Sequence, residues 1–278
     1  VVIVSLVITL SLAAIHLRYA TKVYQASVKM LIKDDTNNMR RSSQMLSNMQ
    51  EMGFISNSTG IDNEVEILQS RILALEAVKD LKLYVGYKLE GKVKDQLIYK
   101  TQPISVDLDE EHLNLMNDEP CVFSMAIKRE GGEYKVEGTI LTEEGKIPIN
   151  TSFKSLPANL ETEKGKLMFM PNPLSKNELK ERDLLVTIYP PKMIASKYAA
   201  ALSAEPTSKM TSIALLTLKD QDANRALDYL KQVAICYNRQ ANEDKNEVAY
   251  KTEEFINGSL EKINAELGVT EGKLEDYK

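Results

Sequence analysis

The chain has 278 residues, of which 43% are hydrophobic and 27% are charged, a composition typical of a folded globular protein. Its 35 basic and 40 acidic residues leave a net charge of −5, which argues against a nucleic-acid-binding protein because such proteins need a basic surface. Two histidines and two cysteines, none of them close together in the sequence, exclude zinc fingers, disulfide scaffolds and most histidine-based catalysis.

The chain begins without a methionine, inside an uncharged apolar run that reads VVIVSLVITLSLAAI. Such a run predicts a membrane helix truncated at its start, because these residues span ~22 Å as a helix and a bilayer core is ~30 Å thick. A cleaved signal peptide and a buried core helix are the alternatives, but no small-residue cleavage site follows. We predict a transmembrane helix over residues 1–18, with Val1, Ile3, Leu6, Leu10 and Ile15 in the membrane.

The next segment has the pattern of a strand, a loop and a helix. Val23–Lys33 alternates between two faces and predicts a strand. Asp34–Gly60 is rich in Asn, Ser and Met and predicts a long loop. Asp62–Leu83 carries apolar residues three and four apart, which predicts one amphipathic helix with a single buried stripe.

From Ile104 to Pro171 the hydrophobic period changes to two, which indicates short strands. The predicted strands are Ile104–Leu108, Cys121–Lys128, Tyr134–Ile140, Lys146–Asn150 and Leu167–Met170. Gly131-Gly132 separates two of them and is a strong hairpin signal. This spacing predicts a small β-sandwich or open barrel inserted into the chain.

Two further strands flank a short helix at Lys192–Ala204. They are Leu184–Tyr189 and Thr211–Lys219, the second of which is strongly apolar and predicted to be central in its sheet. We predict that both strands join Val23–Lys33 in one membrane-proximal sheet, on which the Asp62–Leu83 helix packs.

The C-terminal segment carries the whole net charge, since Asp220–Lys278 contains 8 basic and 13 acidic residues. Its apolar residues keep a spacing of three and four over many turns, which is typical of a coiled-coil seam. The seam residues are Ile256, Leu260, Ile263, Leu267 and Leu274. No stop signal precedes Lys278, so we expect the helix to be truncated there.

The predicted fold class is therefore α+β. It comprises a membrane-anchored mixed sheet with a packed helix, an inserted small β-sandwich-like subdomain and a long C-terminal coiled-coil helix. The predicted domains are the membrane helix at 1–18, the membrane-proximal domain at 19–100 and 172–220, the β subdomain at 101–171 and the coiled-coil helix at 221–278.

No residue pattern predicts a catalytic, cofactor-binding or metal site. Gly86 to Lys92 fits the phosphate-loop spacing G-x-x-x-x-G-K, but Val93 stands where Mg²⁺ binding needs Ser or Thr. His16 and His112 have no carboxylate or thiol cluster beside them in the sequence. Cys121 and Cys236 are predicted to be isolated buried thiols.

Two stretches of sequence resemble a known family. The first is Tyr24-Gln25-Ala26-Ser27, followed by Asn63-Glu64-Val65-Glu66-Ile67-Leu68-Gln69-Ser70-Arg71. The second runs from Asp222-Ala223-Asn224-Arg225-Ala226 to Lys251-Thr252-Glu253-Glu254-Phe255-Ile256. In this order they resemble the chain-length-determinant domain of bacterial polysaccharide co-polymerases, and most closely the subgroup whose complete proteins include a cytoplasmic tyrosine autokinase.

The resemblance implies a protein of the bacterial inner membrane, with most of this chain in the periplasm. It implies a homo-oligomeric ring that works with a polysaccharide polymerase or an outer-membrane export channel, the lipid bilayer and nascent polysaccharide, and with no nucleic acid. Such proteins regulate the length, polymerisation and export of capsular polysaccharide, exopolysaccharide or O-antigen. The resemblance implies no enzymatic activity in this segment, and ATP and Mg²⁺ only where a fused kinase domain is present.

Two alternatives belong to other classes of protein. A periplasmic adaptor of an efflux or secretion system also joins a membrane helix, a coiled coil and β domains, but its coiled coil is a mid-chain hairpin. A ligand-sensing receptor ectodomain would have a compact domain with a pocket and a shorter signalling helix.

Overall fold

A computed structural model of the chain describes residues 2–20, 22–32, 59–91, 94–175, 179, 182–208 and 211–275. Within the helices, the side chains of residues 7, 15–19, 59–60 and 264–275 are outside this description. Residues 33–58 are not described, so the predicted loop at Asp34–Gly60 lies almost entirely outside the described residues. The chain divides into two compact units, Val1–Val233 and Ala234–Lys278.

Six helices and twelve strands are described. The helices are α1 (Val2–Tyr19), α2 (Thr59–Leu68), α3 (Arg71–Asp80), α4 (Glu110–Leu115), α5 (Pro191–Ala201) and α6 (Ala223–Glu275). The strands are β1 (Tyr24–Leu31), β2 (Val85–Leu89), β3 (Gln96–Ile98), β4 (Ile104–Leu108), β5 (Val122–Glu130), β6 (Glu133–Leu141), β7 (Lys146–Phe153), β8 (Ala158–Thr162), β9 (Gly165–Pro171), β10 (Leu184–Ile188), β11 (Ser203–Pro206) and β12 (Ile213–Asp220).

The strands form three sheets, and every described strand pair is antiparallel. The first sheet has the order β1-β12-β11, with Tyr24 opposite Asp220 and Ser203 opposite Thr217. The central strand β12 buries Ala214, Leu216 and Leu218 on one face, as its apolar sequence predicts.

The second sheet has six strands in the order β3-β2-β10-β5-β6-β7. The β5–β6 hairpin turns at Gly131-Gly132, whose positive φ angles of 60° and 88° suit glycine. Strand β10 lies between β2 and β5, and its inward residues Leu184, Val186 and Ile188 are fully buried. The third sheet, β4-β9-β8, pairs Ile104 with Pro171.

The predicted helix at Asp62–Leu83 is two helices, because the chain leaves helical geometry at Ser70. Ser70 has an extended backbone with φ −64° and ψ 147°, and its hydroxyl accepts a 3.2 Å hydrogen bond from the N–H of Leu73. This N-cap begins α3, which packs against α5 and buries Leu73 and Val78.

The predicted mixed sheet with a separate small β-sandwich is wrong. The apolar strand Leu184–Tyr189 does not join Val23–Lys33 and Thr211–Lys219; as β10 it pairs with β2 and β5. The strands predicted for the sandwich are instead divided between two sheets, and β5–β7 extend the sheet that β10 joins. The apolarity of β10 indicates an interior strand but does not specify its neighbours, which complementary side chains decide.

The predicted membrane span over residues 1–18 is also wrong. Among the described residues, none of the helices combines the length and apolar character needed to cross a bilayer. Helix α1 has 18 residues, or ~27 Å of helix, and its last turn includes His16 and Arg18. This finding contradicts the span and the predicted location in the inner membrane.

Candidate functional site

The predicted seam residues lie on helix α6, where three of them form one exposed stripe. Ile256, Leu260 and Ile263 are spaced four and three residues apart, which places them within about 60° of the helix circumference. Their exposed fractions are 50%, 51% and 59%, so about half of each side chain stays in water. Leu267 and Leu274 continue the same spacing on α6, but their side chains are not described.

Two further apolar side chains widen this stripe. Val248 and Phe255 are seven residues apart on the edge of the same face and are 65% and 75% exposed. The opposite face is charged and carries the Glu247–Lys251 ion pair, with 2.5 Å between the Nζ and Oε1 atoms. This part of α6 is therefore an amphipathic helix whose apolar face is uncovered within the described chain.

The residues predicted to lie in the membrane are only partly described. Ile3, Leu6 and Leu10 lie on α1, where each is more than half exposed. Val1 and the side chain of Ile15 lie outside the described residues.

A second feature of interest is a cavity of about 380 Å³ in the first unit, Val1–Val233. One wall comes from β2 and β10, where Gly86 pairs with Thr187. Another part of the lining comes from α5, where Ile194, Lys197 and Ala201 share one face because they are three and four residues apart. The end of β12 and the first turn of α6 complete the lining. A volume of this size lies within the range of small-ligand sites.

A charged cluster forms part of the cavity lining. The Arg225 side chain donates two hydrogen bonds to the Asp220 carboxylate, one of them 2.8 Å from Nε to Oδ2. The Tyr198 hydroxyl donates to the same carboxylate at 3.1 Å. Burial alone would raise the pKa of Asp220, but the hydrogen bonds and charge of Arg225, with the donors from Gln221 and Tyr198, lower it. Asp220 is therefore a fixed, ionised structural group.

Three exposed lysines also line the cavity, Lys88, Lys197 and Lys219. None of the three has an ion-pair or hydrogen-bond partner among the residues that the structure describes. Lys219 lies between Leu218 and Asp220 on β12, so its side chain leaves the opposite face of the strand from theirs. Lys88 and Lys197 are therefore the free lysines at the cavity, beside a cluster whose own charges neutralise one another.

A smaller cavity of about 160 Å³ lies beside the first and shares the Tyr87 side chain. The Tyr87 hydroxyl donates to the Val106 carbonyl at 3.0 Å and accepts from the Val106 N–H at 2.8 Å. The buried carboxylate of Asp107 pairs with Lys82 and accepts a 2.7 Å hydrogen bond from the Tyr84 hydroxyl. Burial first, and then the charge of Asp107, raise the pKa of Tyr84. The polar groups named here therefore form their hydrogen bonds and ion pair with other groups of the chain.

The other residues considered in the sequence are dispersed in the structure. Gly86 lies within strand β2, and Lys92 of the phosphate-loop spacing is outside the described residues. The two thiols, Cys121 and Cys236, are buried and form no disulfide, and the Cys236 sulfur accepts a 3.5 Å hydrogen bond from Arg239. Over the described part of the chain, no three His, Cys, Asp or Glu side chains are placed to hold one metal ion.

The sequence predicted the apolar stripe on α6 but not the cavity. The stripe is a local pattern, whereas residues of β2, β10, α5 and β12, which are distant in sequence, line the cavity. No short motif links Lys88, Lys197 and Lys219. Comparison with known proteins adds no identification, since no family model matches this chain and neither does any curated protein.

Proposed function

We propose that this chain is the scaffold part of a polysaccharide co-polymerase. Copies of the chain associate through helix α6, and the assembly regulates the length, polymerisation and export of a bacterial capsular polysaccharide, exopolysaccharide or O-antigen. Its partners are a polysaccharide polymerase or an export channel and the nascent polymer. Coupling to a tyrosine autokinase in a longer protein, implied by the same resemblance, belongs to this proposal.

The observation that carries the proposal is the uncovered apolar stripe of α6. Fully covering an aliphatic side chain is worth ~1.5–3 kcal/mol, so half-exposed Ile256, Leu260 and Ile263 would each gain ~1 kcal/mol on burial. Such a stripe is the surface by which amphipathic helices associate. A scaffold of this kind acts through its assembly and needs no catalytic cluster.

The order of elements also supports the proposal. Strand β1 pairs with β12, and β12 leads within two residues into α6. The quoted residue stretches that resemble the co-polymerase family lie in β1, from α2 to the first residue of α3, and from Asp222 into α6.

The proposal is tested by placing a charge on the stripe. Ile256→Asp and Leu260→Asp, made separately, should each lower the oligomer mass measured by analytical ultracentrifugation. Expressed in cells that carry the gene, each should also shift the length distribution of the surface polysaccharide on gels. The physical reason is that an Asp carboxylate cannot be buried in an apolar interface without losing several kcal/mol of hydration.

Lys251→Gln is the matched control, because it also makes the helix more negative by one charge. Lys251 is exposed on α6 and lies about 140° around the helix from Ile256, on the charged face. This variant should leave oligomer mass and polymer length unchanged. If both stripe variants also left them unchanged, the scaffold proposal would be wrong and a ligand-sensing ectodomain would be the better hypothesis.

A further inference from the structure

The cavity of about 380 Å³ in the first unit combines an apolar floor with free positive charge. Leu83, Leu97, Ile194 and Leu218 contribute apolar side chains to its lining. Tyr189 contributes a half-buried ring, whose hydroxyl has no hydrogen-bond partner among the described residues. A ligand ring that presents an apolar C–H face can pack against such a tyrosine, while its polar edge is bound by hydrogen-bond donors.

Gly86 leaves room beside that ring. A Cβ atom at Gly86 would lie 4.0 Å from the Tyr189 ring and 3.7 Å from the Thr187 carbonyl oxygen. These are ordinary contact distances, so a side chain would fit there and would occupy cavity space. The glycine therefore keeps the wall beside Tyr189 open.

The charges that line the cavity favour an anion. Lys88, Lys197 and Arg225 line it with a single carboxylate, Asp220, which leaves a local excess of two positive charges. The whole chain has a net charge of −5, so this is a positive site in an acidic protein. Arg225 is bound to Asp220, which leaves the two lysines to meet a ligand. Free ammonium groups around a concave site concentrate anions there.

We propose that this cavity binds an acidic sugar residue, a sugar ring that carries a carboxylate or a phosphate. The ring packs beside Tyr189 at Gly86, and its acidic group is bound by Lys88 and Lys197. This inference rests on the proposed function for the source of the sugar, which would be a unit of the nascent polysaccharide. The binding chemistry itself follows from the cavity.

The test is a binding titration of the whole chain by calorimetry. The acidic probe is tetragalacturonic acid, and the neutral probe of equal length is maltotetraose. We expect the acidic probe to bind at least tenfold more tightly than the neutral one. Galacturonate or glucose 6-phosphate should compete with the probe, whereas inorganic phosphate at the same concentration should not, because it lacks the ring. No competition by either acidic sugar, or equal affinity for the two tetrasaccharides, would overturn the proposal.

Charge variants locate the site. Lys88→Gln and Lys197→Gln together should weaken binding of the acidic probe at least tenfold. The matched control is the double variant Lys146→Gln and Lys154→Gln, two exposed lysines outside the cavity, which changes the net charge equally. The control should weaken binding less than twofold. Equal losses in the two double variants would mean that only overall charge matters and would overturn the site.

A steric variant provides a second, independent measurement. Gly86→Leu keeps every charge but fills the space beside Tyr189, so it should weaken acidic-probe binding at least tenfold in a protein whose melting curve remains cooperative. Unchanged binding in this folded variant would contradict the assigned cavity.

The two proposals fail in different ways. If the cavity lysine variant binds the acidic probe normally while stripe variants alter polymer length, the cavity assignment is wrong and the scaffold function stands. If it loses binding while stripe variants leave the polymer unchanged, the acidic-sugar site stands and the scaffold function falls.

Discussion

At the scale of single residues, the cluster of Asp220, Arg225 and Tyr198 connects β12, α6 and α5. The Asp220 and Arg225 side chains are only 7% and 20% exposed, so their attraction is weakly screened by water. The rings of Tyr198 and Tyr229 lie 4.5 Å apart between their centroids and pack the first turns of α6 onto α5. The cluster therefore fixes where the long helix begins.

Asp220→Asn should destabilise the protein at neutral pH by ~3 kcal/mol, because it leaves Arg225 partly buried without its counter-charge. The folded-state pKa of Asp220 lies below its unfolded value, since Arg225 outweighs the opposing effect of burial. The stabilisation is therefore present above about pH 4 and is lost as the pH falls through the lowered folded pKa. Urea unfolding at a series of pH values should show the wild type and variant converging in acid.

Glu161→Gln on β8 is the control for this measurement, because it neutralises an exposed carboxylate that lies in neither cavity. It should change the free energy of unfolding by less than ~0.5 kcal/mol at every pH. A constant difference between the wild type and Asp220→Asn down to about pH 2 would contradict the assigned linkage.

At the scale of elements, the six-stranded sheet depends on a close approach between β5 and β6 at Gly138. Gly138 is paired with Met125, and a Cβ atom there would lie 2.3 Å from the Ser124 carbonyl oxygen and 2.7 Å from the Met125 Cα. Both neighbours belong to the backbone, so no side-chain rotation can relieve the overlap. Glycine is thus required by packing at this position.

Gly138→Ala should destabilise the protein by at least ~2 kcal/mol, since the β5–β6 pair must separate to admit one methyl group. Gly86→Ala in β2 is the matched comparison, because its Cβ atom would meet only ordinary contacts. It should be neutral or stabilising, by up to ~1 kcal/mol, because alanine restricts the unfolded chain. Chemical denaturation of both variants checks this, and equal effects at the two positions would refute the close approach.

At the scale of the whole molecule, the negative charge of the C-terminal segment works against association through its apolar stripe. The segment Asp220–Lys278 has five more acidic than basic residues, and it contains the apolar stripe proposed to associate. Copies that meet through this stripe bring like charges together. Their repulsion is long-ranged at low salt and is screened when the Debye length falls to a few ångströms.

Self-association should therefore strengthen several-fold when NaCl is raised from ~0.02 M to ~0.5 M, as measured by sedimentation equilibrium. Glu254→Lys, on the charged face of α6, should strengthen association at low salt and reduce the salt dependence. Glu161→Lys in the first unit makes the same charge change as a control and should have little effect. Association that weakens with added salt would show that ion pairs, not the apolar stripe, hold the copies together.

The sequence by itself determined the features that depend on local pattern. The period of two places β4 at Ile104–Leu108 with the bounds that were predicted, and Gly131-Gly132 marks the β5–β6 hairpin. The spacing of three and four predicts α6 and identifies Ile256, Leu260 and Ile263 as residues of one stripe. These features could be predicted because strand alternation, helical faces and glycine turns arise from neighbouring residues.

Only the tertiary structure decided which elements meet. The apolar pattern of residues 62–83 continues through Ser70, but the Ser70 cap divides the helix, and its second part, α3, packs on α5. Residues 203 and 204, the end of the helix predicted at Lys192–Ala204, join strand β11 instead, because β12 offers them a strand edge. Strand β10 joins β2 and β5, and Lys88 and Lys197 come to line one cavity, through contacts between residues far apart in the chain. Local propensity is weak compared with the free energy of such packing, so it cannot choose among partners.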